Sequence, residues 1–259
     1  DTKNSFYGFL GVANKEPRRD DYESGSVKPE RLIDYELGWK YNTQKVKISA
    51  NAFYMNYKDQ LVLTGAVNST GDAIRTNVAS SYRLGLEAIL NYQISKRFKL
   101  EANVTLSQNR IRNFQEKMID YENYEMVVID HGTTDIAFSP NIISAAIIDF
   151  RPFKNFEVSL LSKYVGNQFL DNTQNEDRML NAFMTNDLRF NYALRPRFVK
   201  NLEFTLLVNN IFNQMYEPNG YTFSYFLPIE GTTGRELITE NFFYPQAGTN
   251  FLAGVKVRF

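Results

Sequence analysis

The final segment, Thr249-Asn250-Phe251-Leu252-Ala253-Gly254-Val255-Lys256-Val257-Arg258-Phe259, limits the possible folds more than any other stretch. Taken alternately, Phe251, Ala253, Val255, Val257 and Phe259 fall on one side. Asn250, Gly254, Lys256 and Arg258 fall on the other, with Leu252 the apolar exception. A β-strand sends successive side chains to opposite faces, so this strand has one apolar and one charged face. It closes on an aromatic residue with no polar tail. A soluble domain has little use for such an ending, whereas the closing strand of a membrane barrel meets lipid on one face and a wet lumen on the other.

The same alternation recurs along the chain. Tyr35, Leu37, Trp39 and Tyr41 alternate with Glu36, Gly38 and Lys40, and Val46, Ile48, Ala50 and Ala52 with Lys47, Ser49 and Asn51. Leu84, Leu86, Ala88, Leu90 and Tyr92 alternate with Arg83, Gly85, Glu87 and Asn91, where Ile89 breaks the polar side. Leu100 to Ser107, Phe156 to Leu160, Asp187 to Tyr192 and Leu202 to Asn209 repeat the pattern. Ile142 to Phe150 is apolar on both sides and has no readable phase. With Ser5–Asn14 and the last strand, about ten strands are expected, and no helix longer than a loop turn.

The connections alternate as strictly as the strands. Short links lie near Asn42–Lys45, Ser95–Arg97, Pro152–Asn155 and Arg195–Asn201. Long links lie near Lys15–Arg31, Asp59–Thr76, Arg112–Ser139, Leu170–Asn181 and Glu217–Tyr244. Tight turns at one end and long loops at the other describe an up-and-down transmembrane β-barrel. Long structureless loops normally argue against an element assignment, but here they all fall on one side. Tyr41, Tyr54, Tyr57, Tyr92, Tyr164 and Tyr192 sit near strand ends, where amphipathic rings form interfacial girdles. A β-sandwich with core aromatics is the alternative, and it gives no reason for one-sided loops.

Composition agrees. Lys+Arg and Asp+Glu both number 29 in 259 residues, which lacks the basic excess expected of a nucleic-acid binder. Mean hydropathy is −0.38, and no run reaches the ~18 apolar residues of a membrane helix. Both are compatible with a barrel, whose strands alternate lipid-facing and lumen-facing residues. With no Cys, disulfides and thiolate metal sites are excluded. Asp1-Thr2-Lys3-Asn4 carries no signal peptide, so a mature chain or a fragment is expected.

Several segments together resemble a known family. Val12-Ala13-Asn14-Lys15-Glu16-Pro17 with Arg19-Asp20-Asp21 is similar to an ascending strand entering an extracellular loop. Lys28-Pro29-Glu30-Arg31 leading into Tyr35-Glu36-Leu37-Gly38 is similar to the descending strand that follows. Ala52-Phe53-Tyr54-Met55-Asn56-Tyr57-Lys58-Asp59-Gln60, Leu84-Gly85-Leu86-Glu87, and Val208-Asn209-Asn210-Ile211-Phe212-Asn213 with Tyr216 continue the series. In order and spacing they resemble the carboxy-terminal part of a TonB-dependent outer-membrane receptor. The resemblance implies an all-β antiparallel barrel of twenty-two strands around an amino-terminal plug, of which this chain holds about ten strands and no plug. Counting back makes Ser5–Asn14 roughly the thirteenth strand, which ascends as parity requires. The whole of residues 1–259 is then the C-terminal part of the barrel domain, in the bacterial outer membrane. A closed ten-stranded barrel is the alternative, since even strand numbers from 8 upwards occur.

Function is then expected to be energy-coupled uptake of a scarce nutrient of the siderophore, vitamin, haem or oligosaccharide class. A passive porin, a small structural barrel or a secreted β-sandwich binding module are the alternatives. Implied partners are outer-membrane lipid, the rest of the barrel with its plug, the TonB complex, the barrel-assembly machinery reading Phe259, and a surface lipoprotein; nucleic acid is not among them. Lumen-facing candidates are Lys47, Asn51, Glu87, Glu101, Asn103, Arg189 and Glu203. Ligand-contact candidates in the loops are Tyr121, Tyr124, His131, Asp135, Tyr221, Tyr225 and Arg235, because Tyr and Arg bring large contact area at modest entropic cost. For any one of them the better reading is an ordinary solvated loop residue or rim aromatic, since the same residue types are enriched in girdles. His131, the only His, could ligate haem iron but is better read as solvated. Asp171, Glu176 and Asp177, or Asp20 and Asp21, lack the regular spacing of a calcium loop and read as hydrated loop charges. No cofactor or metal is expected. Catalysis is not expected either: His131-Gly132-Thr133-Thr134-Asp135 has no nucleophile elbow, and no phosphate-binding Gly-rich loop occurs.

Overall fold

A computed structural model describes residues 2–24, 27–67, 70–231 and 234–259. Parts of three expected long loops, residues 25–26, 68–69 and 232–233, lie outside the described residues. Ten strands form a continuous wall: β1 (Asn4–Lys15), β2 (Glu30–Asn42), β3 (Val46–Val67), β4 (Ala73–Gln93), β5 (Phe98–Asp120), β7 (Ile142–Phe150), β8 (Phe156–Val165), β11 (Phe183–Leu194), β12 (Asn201–Asn209) and β15 (Asn250–Arg258). Every neighbouring pair in the wall is antiparallel. β1 and β15 are the two ends of the path, so the sheet is open. The only helical segments among the described residues are 3-10 turns at Arg19–Ser24 and Glu176–Arg178.

The register separates two faces cleanly. Leu37, Ala52, Leu86, Leu106 and Ile142 face one another across β2, β3, β4, β5 and β7. One step along, Gly38, Asn51, Glu87, Thr105 and Ile143 form the adjacent row on the opposite face. A one-residue slip would exchange these rows, so a register with two different solvents on its two sides is strongly specified. It also supplies the missing phase of β7: Ile142 and Ile148 fall on the apolar side, Ile143 and Ile147 on the polar side. In β15, Phe251, Ala253, Val255 and Val257 pair with Val208, Leu206, Phe204 and Leu202, all on the apolar side. The apolar face is bare. Phe6 is 79% exposed, Leu37 71% and Leu86 58%, far more apolar surface than a water-soluble monomer presents in one patch.

Aromatic rings band the apolar face at both ends. At the tight-turn end Phe98 stacks on Phe150 with centroids 4.4 Å apart, and Phe156 meets the edge of Tyr192 at 6.2 Å. Trp39 stacks on Tyr41, and its Nε1 donates to Asn4 Oδ1 at 3.0 Å. At the loop end Tyr35, Tyr54 and Tyr82 form a chain with 6.2 Å between successive centroids. Tyr57 corrects the expected girdle. It shares the face of Asn51 and Met55, and its hydroxyl lies 3.6 Å from Met55 Sδ. It is an inner-face residue because its position in β3 is odd where the girdle positions are even.

The long loops are the larger correction. They are not structureless. β3, β4 and β5 run for 22, 21 and 23 residues, about twice the 9–11 that cross a bilayer. At ~3.3 Å per residue the excess projects roughly 35 Å along each strand. β6 (Glu125–Asp135) pairs back on β5, and β13 (Gly220–Pro228) pairs with β14 (Arg235–Phe243) as a hairpin that touches the tip of β5. Two short strands, β9 (Gln168–Phe169) and β10 (Met179–Leu180), clamp the base of the 170–178 segment. The hydrophobic core cluster, Val62, Val78, Ile111, Phe114 and Ile136, lies among these extensions and not in the wall. A single-layer wall has no interior of its own; the loops make one.

Candidate functional site

The 170–178 segment is stitched to β3, β5, the end of β6 and β14. Asn172 is fully buried; its Nδ2 donates to the Leu63 carbonyl at 2.5 Å, and its Oδ1 accepts from the Ala137 N–H at 2.8 Å. Gln174 Oε1 accepts from Arg110 Nη1 at 2.8 Å and from the Asp135 N–H at 3.2 Å. Asn241 Nδ2 on β14 donates to the Asp177 carbonyl at 2.8 Å. A buried loop must satisfy its backbone and amide groups internally, and these bonds do so.

Arg178 is the hub. It is 3% exposed. Its Nη1 lies 2.7 Å from Glu116 Oε1 on β5 and 2.7 Å from Asp171 Oδ2. Its Nη2 donates to Thr239 Oγ1 on β14 at 3.4 Å. The second Glu116 oxygen is 2.7 Å from His131 Nε2 on β6, and Asp171 Oδ1 accepts from the Thr173 N–H and hydroxyl. Burial alone would pull the guanidinium's pKa down; Asp171 and then Glu116 outweigh it and hold Arg178 above its ordinary value. A buried cation of this kind persists only with its anions in place. Asp171 is therefore not a hydrated loop charge, as expected from sequence, but half of a buried ion pair. Asp21 likewise is buried, paired with Arg75 at 3.3 Å.

The seven loop candidates divide into separate places. Tyr121, Tyr124, Tyr225 and Arg235 come together where the tip of β5 meets β13. Tyr121 meets Tyr124 and Tyr225 edge-on, with centroids 6.2 and 5.5 Å apart. Arg235 lies 4.5 Å over the Phe226 ring and 2.5 Å from Asp120 Oδ2. The Glu122 backbone N–H, opposed by burial and aided by Arg235, holds the Asp120 carboxyl below its ordinary range. Tyr225 donates to Glu240 Oε1 at 2.7 Å, which pushes its phenol up. His131 belongs instead to the Arg178 network. Asp135 sits 3.1 Å from Arg110 Nε at the foot of β6, without hydrogen-bond alignment of that oxygen. Burial raises it despite Arg110. Tyr221 stacks flat on Phe242 at 4.7 Å, near the base of the last hairpin.

The seven polar-face candidates share one side of the wall. Asn51 donates to Glu36 Oε2 at 3.2 Å and accepts from the Tyr7 hydroxyl at 3.1 Å. Tyr7 lies over Gly38, where a methyl would collide with its ring. Lys47 and Asn103 stand in neighbouring rows, Glu87 lies opposite Asn51, and Glu101 pairs with Lys99. Arg189 Nη2 donates to Ser159 at 3.2 Å, and Glu203 Oε1 accepts from Asn201 at 2.5 Å. Sequence reasoning missed Arg178 and Glu116 altogether. Their pairing spans 62 residues, and no local pattern signals it.

A family model described as the TonB dependent receptor-like β-barrel matches residues 4–211. The chain belongs to the TonB-dependent receptor family. Solved receptors of similar fold include the ferric yersiniabactin uptake receptor FyuA from Yersinia pestis, at 16% identity and TM-score 0.65, covering 98% of this chain and 34% of that one. The copper transporter OprC gives 17%, 0.66, 98% and 37%. The siderophore receptor PiuA from Acinetobacter baumannii gives 14%, 0.69, 98% and 34%. At these identities the likeness carries the fold and no cargo. The chain spans about a third of the length of these structures. The TonB-dependent receptor wall seen here thus has ten strands, an open sheet, and its folded extensions at one end only.

Proposed function

We propose that the chain is the C-terminal part of the barrel domain of an energy-coupled outer-membrane receptor that takes up a scarce nutrient. The observation that supports this most is the asymmetry of the two ends. One end has tight turns. The other carries β3–β6, the 170–178 segment and β13–β14, fixed around Arg178 as one body above the polar face. A passive pore needs no such construction, whereas a receptor must present pre-ordered side chains to a dilute ligand. In this reading Lys47, Asn51, Glu87, Glu101, Asn103, Arg189 and Glu203 line the lumen against a plug supplied by the rest of the receptor. The loop tips carrying Tyr121, Tyr124, Tyr225 and Arg235 face the cell exterior. TonB engages that remaining part from the periplasm, Phe259 serves barrel assembly, and a surface lipoprotein is a further partner at the loop end. The TonB-dependent receptor family consists of receptors and transporters rather than enzymes, and we read this chain in the same way.

The test uses the full-length receptor in intact cells. Uptake of ferric siderophores, cobalamin, haem and oligosaccharides is measured with and without a protonophore. Uptake of one of these that collapses when the proton gradient is removed is the expected result. Uptake indifferent to the gradient would make the chain part of a passive pore.

A further inference from the structure

Across β1–β4 the register places Asn14, Arg31, Lys58 and Ser80 in one lateral row. Arg112 on β5 joins it, its Nη1 donating to Ser80 Oγ at 2.9 Å. The row stands on the apolar face, four residues further from the tight turns than Tyr35, Tyr54 and Leu84. Arg31, Lys58 and Arg112 are all exposed. No carboxylate stands in the row, and neither Arg31 nor Lys58 has an ion-pair partner among the described residues. The partners of Arg112 are neutral: Ser80, the Tyr54 hydroxyl at 3.5 Å and the Tyr82 ring at 4.9 Å.

Cations on a lipid-facing surface are tolerated only near an interface. From Tyr41 in the girdle at the tight turns to Arg31 is ten residues of β2, about 33 Å along the strand and roughly 25 Å of height at a tilt of about 40°. That matches the apolar band of a membrane barrel, so the row lies where lipid headgroups begin. Clustered Lys and Arg at that level attract anionic headgroups, and the guanidinium fork fits phosphate. Three unmatched cations exceed the single charge of one phosphodiester. From the row towards the middle of the wall runs an apolar groove of about 550 Å³, lined by Gly8, Leu10, Tyr35, Leu37, Ala52 and Leu84. Gly8 and Ala52 flank Leu37 in one row, and their small side chains leave the groove open.

We infer that this outer face binds a lipid whose headgroup carries two phosphates, with the phosphates on Arg31, Lys58 and Arg112 and an acyl chain in the groove beside them. The inference rests on the loop end facing the cell exterior and is independent of cargo. A passive pore with this wall would hold the same lipid, so failure of gradient-coupled uptake leaves it standing.

The test is native mass spectrometry of the full-length receptor, stripped of lipid by detergent exchange. It is then offered bisphosphoryl lipid A, monophosphoryl lipid A, phosphatidylethanolamine or inorganic phosphate. Bisphosphoryl lipid A is retained, the monophosphoryl form is held more weakly, and the other two are not retained. Arg31→Gln with Lys58→Gln weakens retention by about ten- to hundredfold, the loss of two headgroup contacts. Lys96→Gln, an exposed charge at a tight turn, leaves it unchanged. Ala52→Phe occupies the groove and lowers retention by about two- to fivefold, since only dispersion contacts with the chain are lost. Gel mobility before boiling reports that each variant is folded. Equal retention of phosphatidylethanolamine, indifference to the second phosphate, binding of inorganic phosphate in place of the lipid, or retention that ignores the double substitution overturns the inference. An Ala52→Phe variant that binds as well as the parent overturns the placement of the chain.

Discussion

Arg178 shows how much of the loop architecture turns on one side chain. It joins Asp171 in its own segment to Glu116 on β5 and Thr239 on β14. Breaking a buried pair by removing one partner costs about 3–5 kcal/mol, because the remaining charges stay buried. Arg178→Met fills similar volume and leaves both carboxylates stranded. Hydrogen exchange on the full-length receptor is expected to rise together in residues 171–178, 116–131 and 235–243, while the wall strands keep their protection. Loss of protection in the 171–178 segment alone would mean that the three segments hold independently. This site was illegible in the sequence for a definite reason. Asp171 and Arg178 are seven residues apart and look like ordinary loop charges, and Glu116 becomes their partner only through tertiary packing.

At the scale of elements, β15 offers a quantitative test of depth. Val255 pairs with Phe204, and Val257 with Leu202 nearer the tight turns. An Arg facing lipid costs about 2–4 kcal/mol at mid-bilayer and about 0–1 near the interface. Val255→Arg is therefore expected to lower the surface level of the full-length receptor more than Val257→Arg does, read by antibody to an epitope in a long loop. Equal levels would refute the depth order. The wall strands were legible because each separates two solvents, and period-2 alternation is the direct imprint of that separation. The extensions of β3 and β5 were not: in β3 Gln60, Leu61 and Val62 are buried in succession, which leaves no alternation to read, and in β5 Arg112 and Asn113 are both exposed, which breaks it. Irregularities between Leu63 and Val67 and between Ile111 and Phe114 also break the register there. Asn113, with φ of 54°, interrupts the pleat at the second of these places, and Asp59, with φ of 53°, does so four residues before the first. β7 failed from the opposite cause: Ile143 and Ile147 put apolar groups on the polar face, so only its neighbours could phase it.

For the whole molecule, the decisive physical fact is a sheet of one layer whose apolar face is covered by nothing in the chain. In water, burial of that face would have to come from a second layer, as in a sandwich. Here the second layer exists only at the loop end, in the cluster around Ile111 and Phe114. The wall is held by its hydrogen-bond ladder, and a ladder in hydrocarbon leaves no unpaired backbone group that water could compete for. Its two open edges, β1 and β15, leave unpaired backbone rows that such a solvent does not tolerate, so in the membrane they must be joined by further strands. Full-length receptor extracted in detergent should therefore resist unfolding by dodecyl sulfate at room temperature and change its gel mobility only after boiling. The same material should not come out of membranes in aqueous buffer. Extraction without detergent, together with a mobility that boiling leaves unchanged, would mean that the bare face is covered by protein and that the two-solvent account of the alternation is wrong.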